Sequence, residues 1–277
     1  MKPLSPVTSP VSAHEFNSIP ALRGKAALVV AHPGHELRVY GWLRLARPTV
    51  FVLTDGSGRT GRSRLSATTK LGTEAGVAFG GIYGRFTDID IYRAVLERDF
   101  QAFTNLVEEL TRELVKDGFA YVVGDAIEGY NPAHDVCRIV INAAVELARR
   151  RHSHEIANFD FLVVGHPSTA GAADRTISLR LEENTHSQKL AAAFAYPELT
   201  RDVGHALGSF GAEAFQVEYL RPVDNSSFDA GHFDEPPFYE QYGERQVFEG
   251  YYKHVLRHRQ HMVPLFEALD SYVEHRS

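Results

Sequence analysis

In the stretch LVVAHPGHELRVYGWL, Leu28 to Leu43, an apolar run gives way within five residues to His32, a Pro-Gly turn, His35 and Glu36. Two imidazoles three positions apart on a turn that enters a helix can face one side. A third, His134, lies in GDAIEGYNPAHDVCR, after another apolar run and at the start of a helical pattern. Neutral imidazole is a common metal ligand, and three of them make a facial zinc site whose fourth position is open to water. Zinc on three histidines brings the pKa of water to about 7, so the chemistry on offer is hydrolysis. A lone histidine is more often a satisfied core or surface residue, whereas three at matching strand ends favour a site.

The same segments carry carboxylates that can shuttle a proton: Glu36, Asp55, Asp125, Glu128 and Asp135. Asp55 and Asp125 rank first because each sits directly at a strand end. Asn131 can donate a hydrogen bond to an oxyanion. For any one of the acids, a helix cap or a turn is the competing role. Arg62 and Arg64, in GSGRTGRSRL, can bind hydroxyls or a phosphate of a substrate. Cys137, one turn after His134, reads as a helix-packing residue. His254, His258 and His261 read as the polar face of a helix beside Val255, Met262, Val263 and Phe266.

The elements that must position these groups alternate. KAALVVAH (Lys25 to His32), TVFVLTDG (Thr49 to Gly56), FAYVVGDA (Phe119 to Ala126) and DFLVVGHP (Asp160 to Pro167) read as central parallel strands. Between them, Phe103, Leu106, Val107, Leu110 and Leu114 recur at a helical period closed by Gly118. HDVCRIVINAAVELARRR does the same and ends in three arginines, which suit the negative end of a helix dipole. The expected fold class is α/β, a Rossmann-like open, mostly parallel sheet with helices on both faces, plus a C-terminal loop and helix extension. In such sheets ligands bind beyond the carboxyl ends of the strands, which is where the histidines fall. The expected organisation is a flexible N-terminal arm over 1–22, an α/β domain over 23–222 and the extension over 223–277.

Composition narrows the partners. With 277 residues and 44% hydrophobic content the chain can bury a large core. A net charge of -6 argues against a nucleic-acid partner, whose phosphates are neutralised by Lys and Arg. Cys137 is the only cysteine, so no internal disulfide forms and a reducing cytoplasm is the simplest setting. No apolar stretch approaches the roughly 20 residues of a membrane helix. The opening MKPLSPVTSPVSAHEF has no apolar core of a signal peptide. A membrane partner is therefore not expected.

AHPGHE together with NPAHD resembles the paired signatures of the PIG-L/LmbE-like family, zinc-dependent deacetylases of N-acetylated sugars, in which AHPDDE is matched by a later HPDH. The resemblance continues in VLTDGSG, HSQKLAAAFAYPEL (His186 to Leu199) and EAFQVEYL (Glu213 to Leu220), and spans about Lys25 to Pro222. It implies zinc ligands at His32, His35 and His134, with His35 in place of the family's aspartate. Gly34 stands where the family has its general base, and Asn131 where it has a histidine that stabilises the tetrahedral intermediate. Three neutral imidazoles leave zinc more positive than a His/His/Asp set, which favours ionisation of its water and lessens the need for a separate base. On the same reasoning, Asp at position 34 would return a base beside the metal. The expected function is zinc-dependent deacetylation of a small-molecule substrate, an N-acetylated sugar or sugar-like metabolite. The alternative is a non-catalytic, metal-retaining member of the fold that binds a carbohydrate or a protein.

Overall fold

The computed structural model describes residues 10–276 apart from 17, 59–60, 173–174, 225–232 and 234. Seven strands, β1 (Lys25–Val30), β2 (Thr49–Thr54), β3 (Ala78–Phe86), β4 (Phe119–Asp125), β5 (Ala157–Phe161), β6 (Ile177–Arg180) and β7 (Val217–Pro222), form one sheet. Its order is β3-β2-β1-β4-β5-β7-β6. The first five pair in parallel, and β7 runs antiparallel to both β5 and β6. From β1 the chain steps outward through β2 to β3, then returns to the other side of β1 as β4. In sheets of this kind, ligands bind beyond the carboxyl ends of the strands at such a reversal, here between β1 and β4.

Ten helices among the described residues surround the sheet: α1 (Ala13–Phe16), α2 (Tyr40–Ala46), α3 (Leu65–Ala75), α4 (Asp88–Glu97), α5 (Phe100–Lys116), α6 (Pro132–His152), α7 (Glu183–Phe194), α8 (Thr200–Phe210), α9 (Phe238–Phe248) and α10 (Val263–His275). Successive strand residues point to opposite faces. Ala27, Val29 and Ala31 pack on one face with α4, α5, α6 and α10, whereas Ala26, Leu28 and Val30 pack on the other with Trp42, Leu43, Leu71 and Tyr196. Coverage on both faces explains why β1, β2 and β4 are almost continuously apolar. No helix among the described residues is long and apolar enough to cross a membrane.

Several expected elements move. The strand expected over Asp160 to Pro167 lies earlier, at Ala157–Phe161. The apolar residues after it are held by side chains instead: Arg38 donates to the carbonyls of Leu162 and Gly165, and Glu128 accepts from the N–H groups of Val163 and Val164. The part of the expected N-terminal arm that is described, from residue 10, is not free. Val11 exchanges main-chain hydrogen bonds with Ser178 and Arg180 beside β6, and Phe16 and Leu22 are buried. The segment beyond 222, expected as a loop before a helix, contributes α9 as well as α10. Leu256, Met262, Leu265, Phe266, Leu269 and Val273 share one apolar cluster with α5 and α6. His254 lies in irregular chain ahead of a π-turn at His258–Met262, so the three C-terminal histidines do not share a helical face.

Candidate metal centre

β1 delivers the chain to a tight turn, His32-Pro33-Gly34, in which Gly34 takes φ 107°, a conformation open to glycine alone among ordinary residues. A 3-10 turn at His35–Val39 follows. β4 ends at Asp125, and α6 starts at Pro132 with Asn131 as its N-cap, its Oδ1 accepting from Ala133 N at 2.9 Å. That cap puts His134 on the first turn of α6, facing the β1 loop. The ring centroids of His32 and His35 are 5.2 Å apart, those of His32 and His134 5.1 Å, and those of His35 and His134 4.5 Å. His32 and His134 are buried and His35 nearly so.

Two carboxylates stand behind the rings. Asp125 Oδ2 accepts from His35 Nδ1 and from Ala31 N, each at 2.8 Å. Asp88, at the start of α4, places Oδ1 3.0 Å from His32 Nδ1 and accepts from Thr54 Oγ1 at 2.6 Å. Burial pushes the Asp88 carboxyl up, but hydrogen bonds from His32, Thr54 and Gly58 outweigh it and hold the group well below the usual range. Burial keeps His35 below the ordinary imidazole range although Asp125 opposes it. His134 is lowered further, by burial first and then by His35, His32 and Arg64. Both rings are therefore neutral at pH 7, the form that binds a metal.

His32 Nε2 and His134 Nδ1 are buried with no hydrogen-bond partner, as is Asp125 Oδ1. Buried nitrogens are rarely left so, and neutral imidazoles with free lone pairs are the donors that zinc accepts. In donor chemistry the residues fit a divalent cation. In the side-chain positions described, no three His, Cys, Asp or Glu side chains close around an ion. Ring orientation turns on the soft Cβ–Cγ torsion, whereas the proximity of the rings is set by buried main chain.

The other predicted residues divide. Asp55 is a turn residue: its Oδ1 accepts from Ser57 N at 3.0 Å and Ser57 Oγ at 2.6 Å, and no contact joins it to the histidines, so it does not rank with Asp125. Asp135 Oδ1 accepts from Glu128 N and Gly129 N and fixes the loop before α6, its pKa pushed up to about 7 by burial. Glu36 accepts from Gly34 N at 2.7 Å and Thr68 Oγ1 at 2.8 Å, and burial pushes it to about 7. Arg64 donates through Nε to the Gly56 carbonyl and lies within electrostatic reach of His35 and His134. Arg62 is exposed on the loop. Cys137 is buried against the Val29 carbonyl, a packing residue.

Gly34 carries a correction. A Cβ there would lie 2.3 Å from Leu199 Cδ1, and the φ of 107° is hostile to any side chain. Asp at position 34 is therefore strained at this φ, and the end of the Leu199 side chain must shift to admit its Cβ. Asp88 and Leu199 were not legible as site residues. Asp88 follows β3, whose glycines disguise the strand, and Leu199 lies on the connection from α7 to α8. No family model and no curated protein matches the chain. Among solved structures it is similar to the zinc-inhibited form of teicoplanin deacetylase Orf2, at 16% identity and a TM-score of 0.42, over 72% of this chain and 97% of that one.

Proposed function

We propose that the chain is a zinc-dependent hydrolase that cleaves an amide, removing the acetyl group of an N-acetylated sugar or sugar-like metabolite in a reducing cytoplasm. One observation carries the reading: three buried or nearly buried histidines converge where the sheet order reverses, and two of them hold a nitrogen that no other group engages. His32, His35 and His134 would hold the cation, which when bound polarises a carbonyl and acidifies water. Asp125 grips His35 through Nδ1 and so acts through that ring rather than on the substrate. The Asn131 amide, at the mouth of α6, donates to a developing oxyanion, and Arg64 binds substrate hydroxyls. Leu199 covers the Gly34 turn.

A second reading, a metal-retaining binder without turnover, is favoured by that same Leu199 contact, because it fills the place of the family's base. Metal analysis of purified protein, with acetate release from a panel of N-acetylated sugars, separates the two. The hydrolase reading expects about one zinc per chain and release lost in His32→Ala and His134→Ala. Full zinc occupancy in the double variant refutes the site. Saturable sugar binding with zinc but no acetate supports the binder.

A further inference from the structure

His32 is held from behind by a carboxylate that lies in neither histidine motif. Asp88 Oδ2 accepts from Gly58 N at 2.6 Å, and its Oδ1 accepts from Thr54 Oγ1 at 2.6 Å and faces His32 Nδ1 at 3.0 Å. Thr54 Oγ1 is itself 2.8 Å from His32 Nδ1. With both oxygens engaged by donors on the β2 strand and loop, the carboxylate cannot swing away. Its side chain is 19% exposed, so the anion acts across a partly dry gap.

An anion 3.0 Å from Nδ1 favours the tautomer that carries its proton there. The lone pair then lies on Nε2, which is the buried His32 nitrogen with no partner. Both halves of the ring are accounted for by one proton position. We infer that Asp88 is a positioning residue, which fixes His32 as the Nδ1–H tautomer and leaves the buried Nε2 lone pair free for a ligand. Asp125 does the same for His35 from β4, so the two carboxylates clamp the pair of β1-loop histidines from opposite sides of the sheet's centre. A carboxylate behind a ligating histidine also raises its basicity, and removing one typically costs 10- to 100-fold in metal affinity. The affinity part of this inference rests on the proposed zinc site; the tautomer part does not.

The test uses the full chain labelled with ¹⁵N-histidine and freed of metal. Long-range ¹H–¹⁵N spectra, assigned with His32→Gln, report the His32 tautomer in wild type, Asp88→Ala and Asp88→Asn. Wild type should show a protonated Nδ1. Asp88→Ala should shift His32 toward the Nε2–H form, and Asp88→Asn, which keeps the shape and an acceptor oxygen, should fall between and guards against a folding defect in the alanine variant. Zinc dissociation constants, measured by competition with a chromophoric chelator, should weaken about 10- to 100-fold in Asp88→Ala and less in Asp88→Asn. An Nδ1–H His32 that persists in Asp88→Ala overturns the positioning role. A changed tautomer with unchanged zinc affinity overturns its consequence for the metal. If wild type binds no zinc, the metal reading fails by itself and the tautomer spectra alone decide the role of Asp88.

Discussion

Gly34→Ala is the most direct probe of the packing over the Gly34 turn. The new Cβ would stand 2.3 Å from Leu199 Cδ1, with Leu199 Cγ at 3.5 Å and Tyr196 Cζ at 3.7 Å. Two costs add. Holding a non-glycine residue at φ 107° costs about 1–2 kcal/mol. Moving Leu199 Cδ1, the free end of a half-buried side chain, costs about 1 kcal/mol more, the low end of the range for overpacking. Leu199 is half-buried, so Leu199→Ala alone should cost about 1 kcal/mol, below the range for a fully buried leucine. In the Leu199→Ala background the clash vanishes and only the backbone cost of Gly34→Ala remains. The double-mutant cycle should therefore show a favourable coupling of about 1 kcal/mol. Urea midpoints of the four proteins, at constant slope, measure it. Coupling below about 0.5 kcal/mol would mean that Leu199 is not what excludes a side chain at position 34. The functional counterpart follows: Gly34→Asp alone should not raise acetate release, whereas Gly34→Asp with Leu199→Ala should.

Three further outcomes are expected. His35→Asp puts a second carboxylate beside the fully buried Asp125, which also loses its imidazole donor; metal-free protein should lose about 3 kcal/mol, read as a lowered melting temperature that excess zinc restores in part. Burial pushes Glu128 from 4.5 to about 7, although Val163 N–H, Val164 N–H and Arg38 oppose it. The native state then binds this proton more tightly than the unfolded chain, so the stability it contributes is full below 4.5 and is lost as pH climbs through about 7. Glu128→Gln should flatten the pH dependence by up to about 3 kcal/mol across that window, and an unchanged slope of urea midpoint against pH would refute the assignment. Truncation after residue 222 should give no cooperative melting transition, because it strips Leu265, Phe266, Leu269 and Val273 from the cluster that holds α5 and α6; a sharp transition would make the first 222 residues an independent domain.

What could be read from the sequence follows from how local its cause is. β1, β2 and β4 were legible because strands covered on both faces must be apolar nearly throughout, and α5 because one amphipathic stripe faces the sheet. β3 was not, since Gly80 and Gly81 weaken the strand signal; a Cβ at Gly80 would strike the Phe51 ring, so the glycine answers to a neighbouring strand. The three histidines were legible because strand ends place them. Asp55 and Asp125 look equivalent in sequence, each closing a strand. Only the direction of the side chain separates them, Asp55 turning back onto Ser57 and Asp125 crossing to His35. Asp88 reaches His32, and Leu199 the Gly34 turn, from elements distant in sequence, and nothing in their own segments announces it.

The attachment of these groups to the centre of the sheet governs how the molecule opens. The Ala31 amide is bonded to buried Asp125, and His32 follows it directly from the middle strand. By contrast, no residue of α8 is buried and Tyr130 is 44% exposed. In hydrogen-exchange terms the amides around His32 should exchange only through global opening, whereas those of α8 should exchange through local fluctuations of lower free energy. Side chains that stay assembled in this way would impose no ordering cost on a cation bound among them. Rigidity and adaptability thereby fall to separate pieces of the chain.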